Sequence, residues 1–217
     1  MAAILFGSIS TVADTSELQR EAFNRAFSDH GLGWTWERED YRSMLVTSGG
    51  RARIEEYAAA RGQEVDAQAV HATKSAHFQE DLADAATPRE GVVDTIREAR
   101  SAGVKVGLVT TTAAENVAAL LDALGPEVGR DDFEVVLDGE QVGKPKPDGA
   151  AYALALRQLG EDAANCVAIE DNVEGVRAAV AAGVPCVAFP NANTRGHEFA
   201  GAARVVDHLD LGELMPR

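Results

Sequence analysis

Cysteine, clustered positive charge and long apolar runs are all scarce in this chain, and each scarcity excludes something. The two cysteines, Cys166 and Cys186, lie inside separate apolar runs and lack the paired spacing of a zinc site. With no signal-peptide pattern at the start, the expectation is two buried free thiols in a reducing cytoplasm and no disulfide framework. No stretch reaches the roughly 20 apolar residues of a membrane helix, so a soluble protein is expected. Lysine and arginine total 20 against 35 aspartates and glutamates, a formal charge of -15. That surface repels nucleic acid and anionic membrane, and no Lys/Arg cluster reverses it locally, so neither is an expected partner.

What remains is an ordinary globular composition, with 46% hydrophobic and 25% charged residues in 217, long enough for one core and a small insertion. A short apolar run at Ala3 to Phe6 recurs in kind at Val104 to Val109, Phe133 to Leu137, Cys166 to Ile169, Pro185 to Phe189 and Arg204 to Val206. Near-continuous apolar strands suit a parallel sheet covered on both faces. Helical patterns separate them. Gly91 to Ala102 repeats apolar residues at Val92, Ile96 and Ala99; Thr112 to Glu115 has the form of a capping box; Asp148 opens a helix through Leu159; Asn172 caps another that stops at Gly183. The order is that of a doubly wound α/β fold.

From about Ser16 to Ala86 the alternation stops and only helical patterns appear, beginning with the box Ser16-x-x-Gln19 and ending its first helix at Gly31. An all-helical insertion is therefore expected at 16–86, leaving 1–15 and 87–217 as the core. Ligands of such folds bind at the carboxyl ends of strands. That directs attention to Gly7 to Thr11, Thr110 to Thr112, the loop around Lys144, and Glu170 with Asp171.

Together, "ILF" with "ADTSELQREAFNRAF", then "GGRARI", "GLVTTTAAENV", "GKPKPDGAAY", "AIEDNVEGVRAAVAAG" and "FAGAARVV" resemble the haloacid dehalogenase (HAD) superfamily nearly end to end. The likeness is to its sugar-phosphatase and β-phosphoglucomutase branch, the CbbY-type phosphatases most of all. It implies a HAD-like Rossmannoid core with a helical cap domain. In that family the first strand ends in Asp-x-Asp-x-Thr. The first Asp attacks phosphorus, the second handles protons, and Mg²⁺ bridges the first Asp to the phosphate. Here those positions hold Gly7 and Ile9, and Thr11 alone survives.

Elsewhere the resemblance implies phosphate contacts from Thr110 and its neighbour Thr111, charge neutralisation by Lys144, metal ligation by Glu170 and Asp171, and sugar-phosphate contacts from Gly50 and Arg53. Ser10 and Thr11, with Ser8 beside them, either offer hydroxyls and N–H groups to a phosphate or simply punctuate the loop; Ser8 as a nucleophile would need a base that nothing obvious supplies. With the carboxylate missing at position 7, Mg²⁺ affinity is expected to be weakened, or else Lys144 pairs with Asp171 and fills the space. No organic cofactor is expected. Asp14 reads as a hinge or capping residue, the histidines as structural or superficial, Trp34, Trp36 and Tyr41 as packing, and Lys74 as part of a solvated face.

The expectation is a pseudophosphatase that binds a phosphorylated small molecule such as a sugar phosphate. The alternatives are a metal-dependent phosphomonoester hydrolase with non-covalent chemistry, or an interaction subunit whose protein partner the sequence does not name.

Overall fold

The computed structural model describes residues 1–47 and 49–214. Six strands form one sheet: β1 (Ala3–Phe6), β2 (Lys105–Val109), β3 (Val135–Leu137), β4 (Cys166–Glu170), β5 (Cys186–Ala188) and β6 (Arg204–Val205). All pair in parallel, in the order β3-β2-β1-β4-β5-β6. Every run read as a strand is one. The chain starts in the middle, builds one half of the sheet, then crosses to build the other, so the strand order reverses beside β1, where folds of this kind place their ligands.

Alternation along β1 sorts its side chains between two cores. Ile4 and Phe6 join the helices α6 (Val92–Ser101) and α7 (Ala114–Leu124) on one face, with α10 (Leu211–Leu214). Ala3 and Leu5 join α8 (Ala150–Leu159) and α9 (Val173–Ala181) on the other, together with both cysteines, which are buried and free. A short α1 (Ile9–Val12) follows β1, and Ile9 is buried within the first core.

Between Ala13 and Pro88, which form an isolated antiparallel bridge, the chain runs through α2 (Ser16–Asp29), α3 (Arg38–Met44), α4 (Gly50–Ala59) and α5 (Ala67–Ala85). These helices have their own aromatic core, in which Phe23, Phe27, Trp34, Trp36 and Tyr41 pack together. The return crossing is pinned by Arg89, whose backbone N–H donates to Val12 and whose guanidinium donates to the carbonyls of Ser10, Phe189 and Pro190. No described helix is long and apolar enough to cross a membrane.

Both expected capping boxes fail to form. Thr15 takes the N-cap of α2, while Ser16 Oγ donates to Asp14 and Gln19 turns its amide toward Ser10, Thr15 and Lys74. Helix α7 begins after Ala113, and no described side chain caps it. Asn172 does cap α9, accepting from Gly175 N at 2.8 Å.

Candidate functional site

The carboxyl ends of β1, β2 and β4 open into a cleft of about 510 Å³ whose far wall is the helical segment. From the sheet side Ser8, Ser10, Thr110, Thr111 and Asp171 line it, and from the helices Gly50, Arg53, His71 and Lys74. Asp14 ties the two sides together, accepting from Ser16 and from Ala192 N at 2.9 Å. Thr110 is buried, and its Oγ1 accepts from Thr112 N at 3.2 Å, which leaves its hydroxyl proton for another acceptor. Ser10 is held by Thr15 at 2.8 Å.

The structure places Lys144, the lysine read into this site, on the surface and away from Asp171. Lys144 is 71% exposed and pairs with Asp148 at 3.3 Å on the surface. Two residues on, Lys146 is 4% exposed and points inward to the tip of β1. Both lie in a loop of bends and turns, where the alternation of a strand assigns no direction to a side chain. The path of the loop makes the choice. Lys146 Nζ donates to Gly7 O, to Val109 O at 3.0 Å and to Glu170 Oε1 at 2.6 Å. An ammonium has three protons, and all three are used.

The space beside Gly7 is occupied. Tyr152 Oη also donates to Glu170 Oε1, at 2.6 Å, and a Cβ built on Gly7 would lie inside the van der Waals envelopes of the Glu170 carboxyl and the Tyr152 hydroxyl. Gly175 meets the other edge of the same carboxyl just as closely. Glu170 is thus clamped between two glycines. Burial pushes its carboxyl above the ordinary carboxylate range, with Lys146 opposing; burial, then Glu170, pushes the Tyr152 phenol well up.

Asp171 is equally committed. Its Oδ1 accepts from Ser8 Oγ at 2.6 Å, Asn172 Nδ2 at 3.2 Å and Thr11 Oγ1 at 3.4 Å, and its Oδ2 from Asn191 Nδ2 at 2.7 Å. Mg²⁺ demands near-octahedral oxygen ligation. The expected ligands Glu170 and Asp171 do not supply it: one carboxylate is held by a lysine and a tyrosine, the other accepts from two hydroxyls and two amides, and position 7 has no side chain. Glu170 Oε2 has no hydrogen-bond partner among the described residues, but it faces Gly175 next to the bound ammonium. Among the described residues no group of three or more His, Cys, Asp or Glu side chains could hold a metal ion. The residues present do not fit the family's cation.

Cationic character enters instead from the helical wall, partly at a residue that sequence reasoning misplaced. Lys74 does not belong to a solvated face; it is 3% exposed, donates to Gln19 Oε1 at 3.1 Å and lies over the rings of Phe23 and Phe78 at 4.9 and 4.6 Å. Burial, with Arg53 adding to it, lowers its pKa to about 7. The signal was legible: Val70, Lys74, Phe78 and Leu82 fall four apart on α5, so Lys74 sits in the apolar stripe. Arg53 is buried too, donating to Met44 O and Thr47 O, while its charge remains on the cleft wall. His71 lines the same wall, its pKa lowered to about 4 by burial and then by Lys74. It is neutral near pH 7.

A family model described as haloacid dehalogenase-like hydrolase matches residues 1–183. The chain belongs to that family. It is 40% identical to Protein CbbY of Cereibacter sphaeroides over 98% of this chain and 94% of that one, and 38% identical to a plasmid-encoded CbbY of Cupriavidus necator over 100% and 89%. A crystal structure of CbbY from Rhodobacter sphaeroides in complex with phosphate matches at a TM-score of 0.87 and 39% identity, over 96% of this chain and 94% of that one. A variant of that protein in complex with xylulose-1,5-bisphosphate matches at 0.88.

Proposed function

We propose that this chain is a phosphosugar-binding member of the haloacid dehalogenase-like hydrolases that does not carry out their covalent phosphoryl transfer, with residues 16–86 serving as the cap over the ligand. One observation carries the reading. At the tip of β1, where the resemblance places the nucleophile, there is a glycine, and the neighbouring space is filled by Glu170, Tyr152 and Lys146. Ile9, at the proton-transfer position, is buried and has no exchangeable side-chain proton. Covalent catalysis by a carboxylate has no atom here from which to start.

Binding has more to support it. The cleft keeps the Thr110 hydroxyl, the backbone around Thr111, and the cationic wall of Arg53 and Lys74 opposite. Anions gain from such donors once water is partly excluded. Because a homologous chain is solved with xylulose-1,5-bisphosphate, that compound is the first probe, followed by pentose and hexose monophosphates.

A thermal-shift series tests this reading. At least one sugar phosphate is expected to raise the melting temperature of the wild-type protein, and Lys74→Met to remove the shift. The parallel assay is release of inorganic phosphate with Mg²⁺ present, where turnover at the reagent background is expected. Brisk release that disappears in Asp171→Asn would favour the second reading, water activated without a covalent intermediate, because Asp171 borders the cleft.

A further inference from the structure

The three acceptors of Lys146 come from three different strand ends: Gly7 after β1, Val109 at the end of β2 and Glu170 at the end of β4. A divalent cation at the sheet edge of this family would draw strand tips together in a similar way, by gathering oxygens from adjacent strands around one charge. We propose that Lys146 is a built-in cation standing in for the divalent metal, so that the strand tips are organised, and the cleft is formed, without a metal ion.

Four features support this beyond the hydrogen bonds. The pair Lys146–Glu170 is almost wholly buried, at 4% and 0% exposure, so its attraction is screened little by solvent. Glu170 is held on two further sides by Gly7 and Gly175, and a side chain at either would displace it. Substituting glycine for a carboxylate at position 7 therefore does two things at once: it removes a negative charge, and it makes room for Glu170 to turn toward the lysine. Lastly, Asp171 is turned away from this centre into a separate network with Ser8 and Asn191, which leaves Glu170 as the one carboxylate facing the ammonium among the described residues.

The arrangement also fixes what Lys146 does not do. With all three protons given to the protein, it contributes its field to a bound phosphate but no direct bond, unless an acceptor is surrendered. Direct anion contacts then fall to Thr110 and the helical wall. The proposal concerns the strand tips and holds whatever the ligand is.

The experiment uses the wild-type chain, labelled with ¹⁵N, first stripped with EDTA and then titrated with substoichiometric Mn²⁺, whose unpaired electrons broaden nearby amide resonances. The expected result is that Gly7, Glu170 and Asp171 lose no more intensity than acidic surface positions such as Glu64 and Asp131. Selective loss of those three signals below one equivalent of Mn²⁺ overturns the proposal. In the same samples, the affinity for inorganic phosphate is expected to be equal in EDTA and in millimolar Mg²⁺; a tenfold gain with Mg²⁺ overturns it as well. Absence of any phosphate binding would count against the ligand reading of the previous section while leaving the amide result to decide this one.

Discussion

At the scale of the residue, the neighbours of position 7 determine what a carboxylate placed there would meet. Restoring the family's carboxylate by Gly7→Asp puts a Cβ into the Glu170 carboxyl and the Tyr152 hydroxyl. Overpacking of this kind costs about 1 to 3 kcal/mol. The variant is expected to lose stability by that amount in urea unfolding and to gain no phosphatase activity. Lys146 and Glu170 provide a second test. Lys146→Met leaves a buried carboxylate without its partner, a change that typically costs about 3 to 5 kcal/mol. Lys146→Met with Glu170→Gln is expected to be less unstable than the single lysine variant, because no uncompensated charge remains; equal or greater loss would show that the lysine matters for packing and not for charge. Residue by residue, a missing side-chain group is easier to read from a sequence than the placement of one that is present. Gly7 and Ile9 are conspicuous as letters, because no side-chain geometry can restore what they lack. Lys144 and Lys146 are two like letters in one Lys-Pro-Lys-Pro run, and only the course of the loop separates a surface lysine from a buried one.

At the scale of the element, strands and helix stops were legible because their signals are local. Apolar runs of three to six residues mark all six described strands, and Gly31 and Gly183 end α2 and α9 with positive φ, where a side chain would be strained. The capping boxes were not legible, since a hydroxyl or amide that can cap a helix can also bind something distant. Gln19 left its box for Lys74, a residue 55 positions away that local sequence cannot weigh. Where a cap has no such competitor, its effect should be simple. Asp66 Oδ1 accepts from Ala69 N at 3.0 Å at the exposed start of α5. Asp66→Ala is expected to lower stability by about 1 kcal/mol, with sugar-phosphate binding unchanged. A loss of binding in this variant would mean that the orientation of α5, and hence of Lys74, depends on its first turn.

At the scale of the whole molecule, a formal charge of -15 surrounds a cleft whose helical wall carries Arg53 and Lys74, so the net charge and that wall differ in sign. Burial takes Lys74 from an ordinary 10.5 to about 7. Between those values the unfolded chain carries a proton that the folded chain does not. This group therefore makes folding more favourable as pH rises through that window, and its full penalty applies below about pH 7. A bound anion has the reverse effect, because it stabilises the protonated lysine. Sugar-phosphate binding near neutrality should then take up a proton, visible in calorimetry as a heat that depends on the ionisation enthalpy of the buffer. The ligand titrates as well, since a phosphate monoester loses its second proton near pH 6 and grows more anionic with rising pH. The comparison that isolates the protein is wild type against Lys74→Met. The affinity gap between them is expected to be widest below about pH 7 and to close as pH rises beyond it. His71, at about 4, does not titrate in this range, so it cannot mimic the effect. A gap that stayed constant from pH 6 to pH 9 would show that Lys74 remains charged throughout, and that its neighbours Gln19, Phe23 and Phe78 solvate the ammonium better than their burial suggests.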